Sequence, residues 1–252
     1  MIITNFFIYK SYEIMKRSLL KYTIEGSVIL LSILLSFYVE DIRQNKENRE
    51  KKDQYLYDLS STLESDLEQI DNLLKTLYRS TDLITEIQND IDQNHTLFSD
   101  IDAVNKILDI EVGISFFPQD GIFDQMISTG SFELIKNMEL KKLLLEMYNH
   151  QKDRNFATST EIDQFNIRLR NEVLDKFRIS FNYNSYDGAF YGSRSVNKYK
   201  FNQSYYLSNT FYGLLSQAKT YANMYTRLLK DIEKSYLTSL ALAKEEVKDY
   251  RE

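Results

Sequence analysis

Turn-forming residues are scarce in this chain, which has a single proline, Pro118, and seven glycines among its 252 residues. β-Sandwiches and barrels need a turn about every dozen residues, so this scarcity argues against them. The composition, 43% hydrophobic and 27% charged, is that of an ordinary globular protein and not of a disordered or fibrous one. The sequence therefore predicts an all-α fold: one N-terminal transmembrane helix, then an elongated antiparallel bundle of three long and two short helices.

A repeat of seven residues runs through the segment that follows the apolar N-terminal part. It forms a packing seam of Leu56, Leu63, Ile70, Leu77, Ile84 and Ile91. Leu59, Leu73 and Ile87 fill the companion position three residues later, and Asp66 and Ser80 interrupt it. Such a register is typical of a helix that packs in the manner of a coiled coil. It predicts one long helix over 42–91 whose seam packs against other helices of the chain or against a second copy.

The most apolar stretch is Gly26–Val39, and extending it back to Tyr22 adds a single charge, Glu25. A bilayer-spanning helix needs about 20 residues, so a buried core helix is the alternative interpretation. A cleaved signal peptide is disfavoured because Glu40 and Asp41 stand where small residues would be needed. The span is predicted over 22–39, after a tail over 1–21 and before a body over 40–252. Its marker residues are Tyr22, Gly26, Leu30, Leu34 and Tyr38, with the tyrosines at the interfaces.

The charges beside the apolar stretch indicate an orientation. The count of basic residues does not decide it, because four precede the stretch and five follow it: Arg43, Lys46, Arg49, Lys51 and Lys52. However, Lys16, Arg17 and Lys21 lie close to it on the N-terminal side, whereas Glu40 and Asp41 follow it directly. Because cations accumulate on the cytoplasmic side of a span, we expect a cytoplasmic N-terminus and a non-cytoplasmic body.

Capping residues mark helix boundaries within the body. Ser99, with an aspartate three residues later, forms a capping box for a short helix. Asp120 can cap a second short helix, and Gly130 supplies its left-handed stop. Asn137 can cap the next long helix, and the last long helix is predicted to begin near Asn209.

The segment 179–206 is the irregular part of the body, and residues 181–212 contain eleven aromatic residues but only four charges. Alternation of Ile179, Phe181 and Tyr183 allows a short hairpin, since long structureless loops are uncommon. The candidate interaction surface is Phe181, Tyr183, Tyr186, Phe190, Tyr191, Tyr199 and Phe201. A helix unbroken to Ile91 and a returning helix would place this segment at the membrane-proximal end of the body. There it would either meet lipid headgroups or fold onto its own aromatic residues.

One short motif resembles a calcium-binding loop. Asp90, Asp92 and Asn94 have the spacing of its first ligands, but His95 and Ile101 stand where a glycine and a bidentate glutamate are required. Asp90 and Asp92 are better interpreted as the polar end of a helix, and His95 as a surface or hydrogen-bonded histidine.

The residues needed for catalysis or metal binding are largely missing from the sequence. It has no cysteine, and His95 and His150 are its only histidines. Glu64 and Glu68 lack the E-x-x-H partners of a di-metal site, so we interpret them as a solvated face. Residues 53–109 contain thirteen acidic and three basic residues, which would repel nucleic acid. We therefore expect no enzyme activity, no cofactor and no nucleic acid partner.

Two stretches resemble a family of uncharacterised bacterial single-pass membrane proteins. The matching residues are Lys21-Tyr22-x-Ile24-Glu25-Gly26 before the apolar run, then Phe123-x-x-Met126-x-x-Thr129-Gly130 and Leu134-Ile135-x-Asn137 in the body. The family pattern is K-Y-x-I-G-E, then F-x-x-L-x-x-S-G and L-I-x-N, so the glycine and glutamate are exchanged here. The resemblance implies a membrane span and a non-cytoplasmic helical body, and it transfers no activity.

These observations favour a membrane-anchored helical scaffold or interaction protein without catalytic activity. Its expected partners are the lipid bilayer and either copies of itself or another membrane protein. The alternative is a sensory or ligand-binding helical-bundle module in which the aromatic segment covers a pocket. Such a module would need a partner to signal, because the tail over 1–21 is too short to hold an output domain.

Overall fold

The computed structural model describes residues 2–184 and 193–248, with the side chains of 21–184 and 194–247. The described chain is mainly helical with one small two-stranded sheet, so the predicted all-α class is confirmed. By its internal contacts the chain divides into two units, Met1–Gln54 and Tyr55–Glu252. We call the second unit the bundle.

The described part of the first unit is the N-terminal part of one long helix, which continues into the bundle. Helix α1 runs from Ile2 to Asp92 and contains the whole apolar stretch. Of the part of the chain that the structure describes, one helix is long and apolar enough to cross a membrane, and it is α1. The side chains of its apolar window are exposed.

The bundle contains the remaining elements. In chain order they are α2 (Asp100–Leu108), α3 (Gly121–Ser128), a 3₁₀ turn (Ser131–Leu134), α4 (Met138–Leu145), a π-helical turn (Glu146–Gln151), α5 (Lys152–Lys176), β1 (Arg178–Asn184), β2 (Ser193–Lys200), α6 (Gln203–Tyr206) and α7 (Asn209–Lys248). Helix α7 runs antiparallel to α1: Ser216 bonds Gln88 near one end, and Lys244 bonds Glu64 near the other.

Most of the capping residues act as predicted. Ser99 accepts a hydrogen bond from the backbone of Asp102, and Asn137 accepts from the first amides of α4. Gly130 has a φ of 70°, the left-handed conformation that glycine adopts without strain. Asp120 precedes α3 but makes no cap hydrogen bond, because its carboxylate pairs with Lys152 instead.

The seven-residue register of α1 faces the interior of the bundle. All six seam side chains are buried: Leu56, Leu63, Ile70, Leu77, Ile84 and Ile91. They belong to one apolar cluster with residues of α5 and α7, including Phe165, Leu215 and Leu229. The seam therefore packs against helices of the same chain.

The two polar interruptions of the register bind the segment that connects α2 to α3. The Ser80 hydroxyl accepts from the Glu111 amide and donates to its carbonyl oxygen, both at 2.9 Å. The Asp66 carboxylate accepts from the backbone and side chain of Gln119 at 3.0 and 3.1 Å. Burial of the Asp66 carboxylate raises its pKa above the ordinary value, although the hydrogen bonds from Gln119 act in the opposite direction. Thus the connecting segment runs back along α1 from Ser80 to Asp66.

The same segment is fixed from the side of α5 and α7. The Tyr225 hydroxyl accepts from the Phe116 amide at 2.8 Å and donates to Asn155 at 3.0 Å. The Asn155 side chain in turn donates to the Phe116 carbonyl oxygen at 2.8 Å. Gly113 has no room for a side chain, because a Cβ there would lie 2.4 Å from the Cβ of Asn166. These contacts fill the centre of the bundle with polar bonds that are mutually satisfied.

The aromatic segment lies at the opposite end of the bundle from the one predicted. The connecting segment has already returned along α1, so α5 runs away from the Tyr55 end of the bundle. The bond of Arg170, late in α5, to Glu111, the partner of Ser80, shows this direction. The residues that follow reach the C-terminal end of α1, where Tyr206 bonds Asp90. The prediction put this segment at the Tyr55 end of the bundle and was wrong, because it assumed that the short helices lie at the other end.

Candidate interaction surface

The aromatic segment contains an antiparallel hairpin of β1 and β2. Its register pairs Arg178 with Lys200 and Tyr183 with Arg194, and one irregularity follows Ser180. Four members of the predicted surface are described: Phe181, Tyr183, Tyr199 and Phe201. The other three, Tyr186, Phe190 and Tyr191, lie outside the described residues.

The described members divide into exposed and packed side chains. Tyr183 is 66% exposed and Tyr199 40%, as an interaction surface requires. Phe201 is only partly exposed and instead packs among Phe177 and Tyr206, with ring centroids 5.5 and 5.1 Å away. Phe201 is therefore half-buried against the bundle and less accessible than the two tyrosines.

The base of this segment is held by a cluster that we call the His95 junction, consisting of Asp90, His95, Asp100, Phe201 and Tyr206. Both imidazole nitrogens lie within hydrogen-bonding distance of carboxylates, Nδ1 2.6 Å from Asp90 and Nε2 3.0 Å from Asp100. The Phe201 ring stacks on the imidazole at 4.8 Å. The Tyr206 hydroxyl donates to Asp90 at 2.7 Å. The junction thus joins α1, α2 and α6.

The backbone around the junction also contributes a hydrogen bond to Asp90. Asn94 and His95 both adopt left-handed conformations, with φ of 58° and 60°. This reversal directs the amide of Leu97 to Asp90 at 2.8 Å. Left-handed backbone is tolerated best by Asn, Asp and His among residues with side chains, which suits the sequence here.

The electrostatics of the junction favour a charged pair. Burial is the largest influence on His95 and lowers its pKa, but the hydrogen bonds to Asp90 and Asp100 outweigh it and raise the pKa above the ordinary value. For Asp90, burial raises the pKa, and hydrogen bonds from His95, Tyr206 and Leu97 outweigh it and hold the pKa below its usual range. These two pKa shifts favour a positively charged His95 imidazole between the carboxylates of Asp90 and Asp100.

We expect the stability of the bundle to decline as the pH rises above 6.5. The folded state raises the His95 pKa above 6.5, so the stabilisation is fully present below 6.5 and is lost as the pH rises through the folded pKa. Thermal unfolding at a series of pH values from 6.5 upwards measures this decline. A His95→Asn variant, which tolerates the left-handed backbone, should show a smaller decline. An equal decline in both proteins would contradict the assignment to His95.

Sequence reasoning missed the role of Asp90. It was interpreted as the polar end of a helix, but its side chain is fully buried, and its oxygens are bonded to protein donors. The signal was present in the sequence, since Asp90 directly precedes Ile91, the last residue of the seam. Among the side chains that the structure describes, no group of three or more acidic or histidine residues is placed to hold a metal ion.

A groove beside the hairpin bears on the ligand-binding alternative. It is lined by Ile107, Leu108, Ile110, Leu169, Arg170, Val173, Leu174 and Arg194. Its lining is aliphatic and not aromatic, and both arginines are engaged: Arg170 binds Glu111, and Arg194 donates to the Leu108 carbonyl oxygen at 2.8 Å. The groove therefore differs from the aromatic pocket that the ligand-binding alternative requires.

Helix α5 also presents apolar residues to solvent. Phe156, Ile167 and Leu174 are exposed, and their spacings of 11 and 7 residues correspond to about three and two helical turns. The three side chains therefore share one face of the helix. Aligned apolar residues on a surface are more typical of an interaction site than single scattered ones.

The predicted span residues all lie on the exposed helix of the first unit. Tyr22, Leu30, Leu34 and Tyr38 are exposed, as is Gly26. The hydroxyls of Ser32 and Ser36 donate to carbonyl oxygens four residues earlier at 2.8 Å. Hydroxyls satisfied within their own helix are compatible with a lipid environment.

No protein-family model matches the chain, and neither a curated protein nor a solved structure matches it.

Proposed function

We propose that this protein is a membrane-anchored helical scaffold or interaction protein without catalytic activity. The observation that carries the proposal is the apolar part of α1, an 18-residue window of which has no side chain buried by the rest of the described chain. In water such a surface would be costly, whereas a bilayer solvates it. The same helix continues into a folded bundle, which would be held at the membrane surface.

The proposal includes an orientation and a family. The cations Lys16, Arg17 and Lys21 before the span, and the acids Glu40 and Asp41 after it, support a cytoplasmic N-terminus and a non-cytoplasmic bundle. Membership of the bacterial single-pass family, which the chain resembles in two motifs, is compatible with this topology and is part of the proposal.

The bundle would act through its surfaces. Two features support this part: the exposed apolar face of α5 and the exposed tyrosines Tyr183 and Tyr199 of the hairpin. The partners would be the bilayer and either a second copy or another membrane protein. Since the seam of α1 is filled by helices of its own chain, contacts between copies would use the outer faces instead.

The intact chain is expected to remain in the membrane fraction after alkaline carbonate washing. Deletion of residues 1–41 should release a soluble, helical protein, because the remaining chain contains the whole bundle. Protease added outside spheroplasts should digest the bundle and spare the N-terminus. Circular dichroism of the truncated protein checks that it is folded.

Two results would contradict the proposal separately. An intact chain that is soluble without detergent would show that 22–39 is not a span. Protection of the bundle from external protease, with the chain still in the membrane, would reverse the orientation and leave the anchor in place.

A further inference from the structure

The hairpin carries a group of exposed cations without partners. Arg178 and Lys200 stand directly opposite each other in the register, and Lys198 pairs with Ser180, two residues further along the same face. All three are exposed. Within the residues that the structure describes, none of the three has an ion pair or a hydrogen bond from its side chain. We call Arg178, Lys198 and Lys200 the cationic face.

This arrangement is unfavourable for the isolated protein. Like charges directly opposite each other in an antiparallel pair destabilise it. Side chains two residues apart on a strand are separated by roughly 7 Å, so the three charges are close neighbours. The chain as a whole has a net charge of −6, and elsewhere its cations commonly pair with carboxylates, as Arg170 does with Glu111. An unpaired cationic cluster in an acidic protein indicates an anionic partner.

The surroundings of the cationic face narrow the choice of partner. Tyr183 and Tyr199 are exposed on the same hairpin, but Tyr199 pairs with Ile179 and therefore lies on the face opposite to Lys198 and Lys200. The last three residues of β1 are exposed on both faces, so the hairpin projects from the bundle. A lipid headgroup layer around a projecting hairpin meets both of its faces, so phosphate can contact the cations on one face while a tyrosine ring of the other lies at the apolar boundary.

We propose that the cationic face of the hairpin docks onto anionic phospholipid headgroups at a membrane surface. A nucleic acid is a poorer fit, because an extended polyanion would also meet the acidic residues nearby. Asp92 and Asp102 are exposed at this end of the bundle, and residues 53–109 contain thirteen acids against three bases. A headgroup surface can contact the projecting hairpin alone. This inference goes beyond the anchor, since it concerns a second lipid contact made by the bundle.

The test uses the full chain in nanodiscs of zwitterionic lipid, mixed with vesicles that contain phosphatidylglycerol. We expect the nanodiscs to bind these vesicles and not vesicles of phosphatidylcholine alone. The variant Arg178→Gln, Lys198→Gln, Lys200→Gln should bind roughly 100-fold more weakly, because each cation near an anionic surface contributes about a factor of five. Added salt should weaken binding of the parent chain.

A matched control removes the same charges elsewhere in the bundle. Lys142, Arg227 and Lys234 are exposed, so their replacement by glutamine changes the net charge equally. This control should bind vesicles as the parent chain does. Equal loss in both variants would show a general charge effect and overturn the proposal, as would unchanged binding of the hairpin variant.

Two further outcomes separate this proposal from its alternatives. Binding of single-stranded DNA but not of vesicles would overturn it in favour of a nucleic acid partner. Association of the nanodiscs with each other, without vesicle binding, would overturn it in favour of a second copy. Failure of the chain to enter nanodiscs would contradict the anchor, and vesicle binding of the free full chain would then still test the hairpin.

Discussion

Replacing Ile70 with aspartate is expected to unfold the bundle. Ile70 is fully buried in the middle of the seam, so a carboxylate there would lie within the apolar cluster. Burying an unpaired charge costs several kcal/mol, on the order of the total stability of about 5–15 kcal/mol that a domain has. Chemical denaturation followed by circular dichroism should show loss of the cooperative transition, or a large shift of its midpoint.

The control for this substitution is Glu64→Ala. Glu64 directly follows the seam residue Leu63 on the same helix as Ile70, and it is exposed in its ion pair with Lys244. Changes at exposed ion pairs usually stay within about 0.5–1 kcal/mol, so this variant should unfold almost as the parent chain does. A fully stable Ile70→Asp protein would mean that the seam faces solvent.

Replacing Asp90 with alanine is expected to release the aromatic segment from α1. The substitution leaves the Tyr206 hydroxyl, the Leu97 amide and the His95 imidazole without their acceptor. Removing one partner of a buried charged pair costs about 3–5 kcal/mol. Hydrogen exchange should increase in 193–206 and at the C-terminal end of α1, and limited proteolysis should cut there first.

Asp92 offers the matching control two residues away. It is exposed, and its only hydrogen bond among the described side chains is a long one of 3.4 Å from Tyr212. Asp92→Ala should therefore leave hydrogen exchange in 193–206 close to that of the parent chain. Similar exchange in the Asp90→Ala and Asp92→Ala variants would show that the junction does not hold the segment.

The parts of the fold that the sequence predicted depend on local chemistry. The seam of α1 follows from a strict spacing of leucine and isoleucine, because a helix places every seventh residue on nearly one face. Ser99, Gly130 and Asn137 mark helix ends because each satisfies backbone groups within its own turn. Such signals need no knowledge of the path of the chain.

The parts that the sequence did not predict depend on that path. The aromatic segment was placed at the wrong end of the bundle because no local signal in 109–120 indicates the path of the segment that connects α2 to α3. That connecting segment runs back along α1. Asp66 and Ser80 were the available evidence, since a polar residue in a buried register needs a partner. Their partners, Gln119 and Glu111, are backbone and side-chain groups distant in sequence. The bond between Asp90 and Tyr206 was missed for the same reason, because these two residues are also distant in sequence.

The chain has no cysteine, so single cysteines introduced along α1 can measure directly whether its apolar part lies in a bilayer. In intact membranes, a membrane-impermeant maleimide should fail to label Ser32→Cys and Ser36→Cys, and should label them once detergent is added. It should label Asn45→Cys from outside the cell without detergent. Ready labelling of Ser32→Cys and Ser36→Cys in intact membranes would show that this part of α1 faces water and would contradict the membrane anchor.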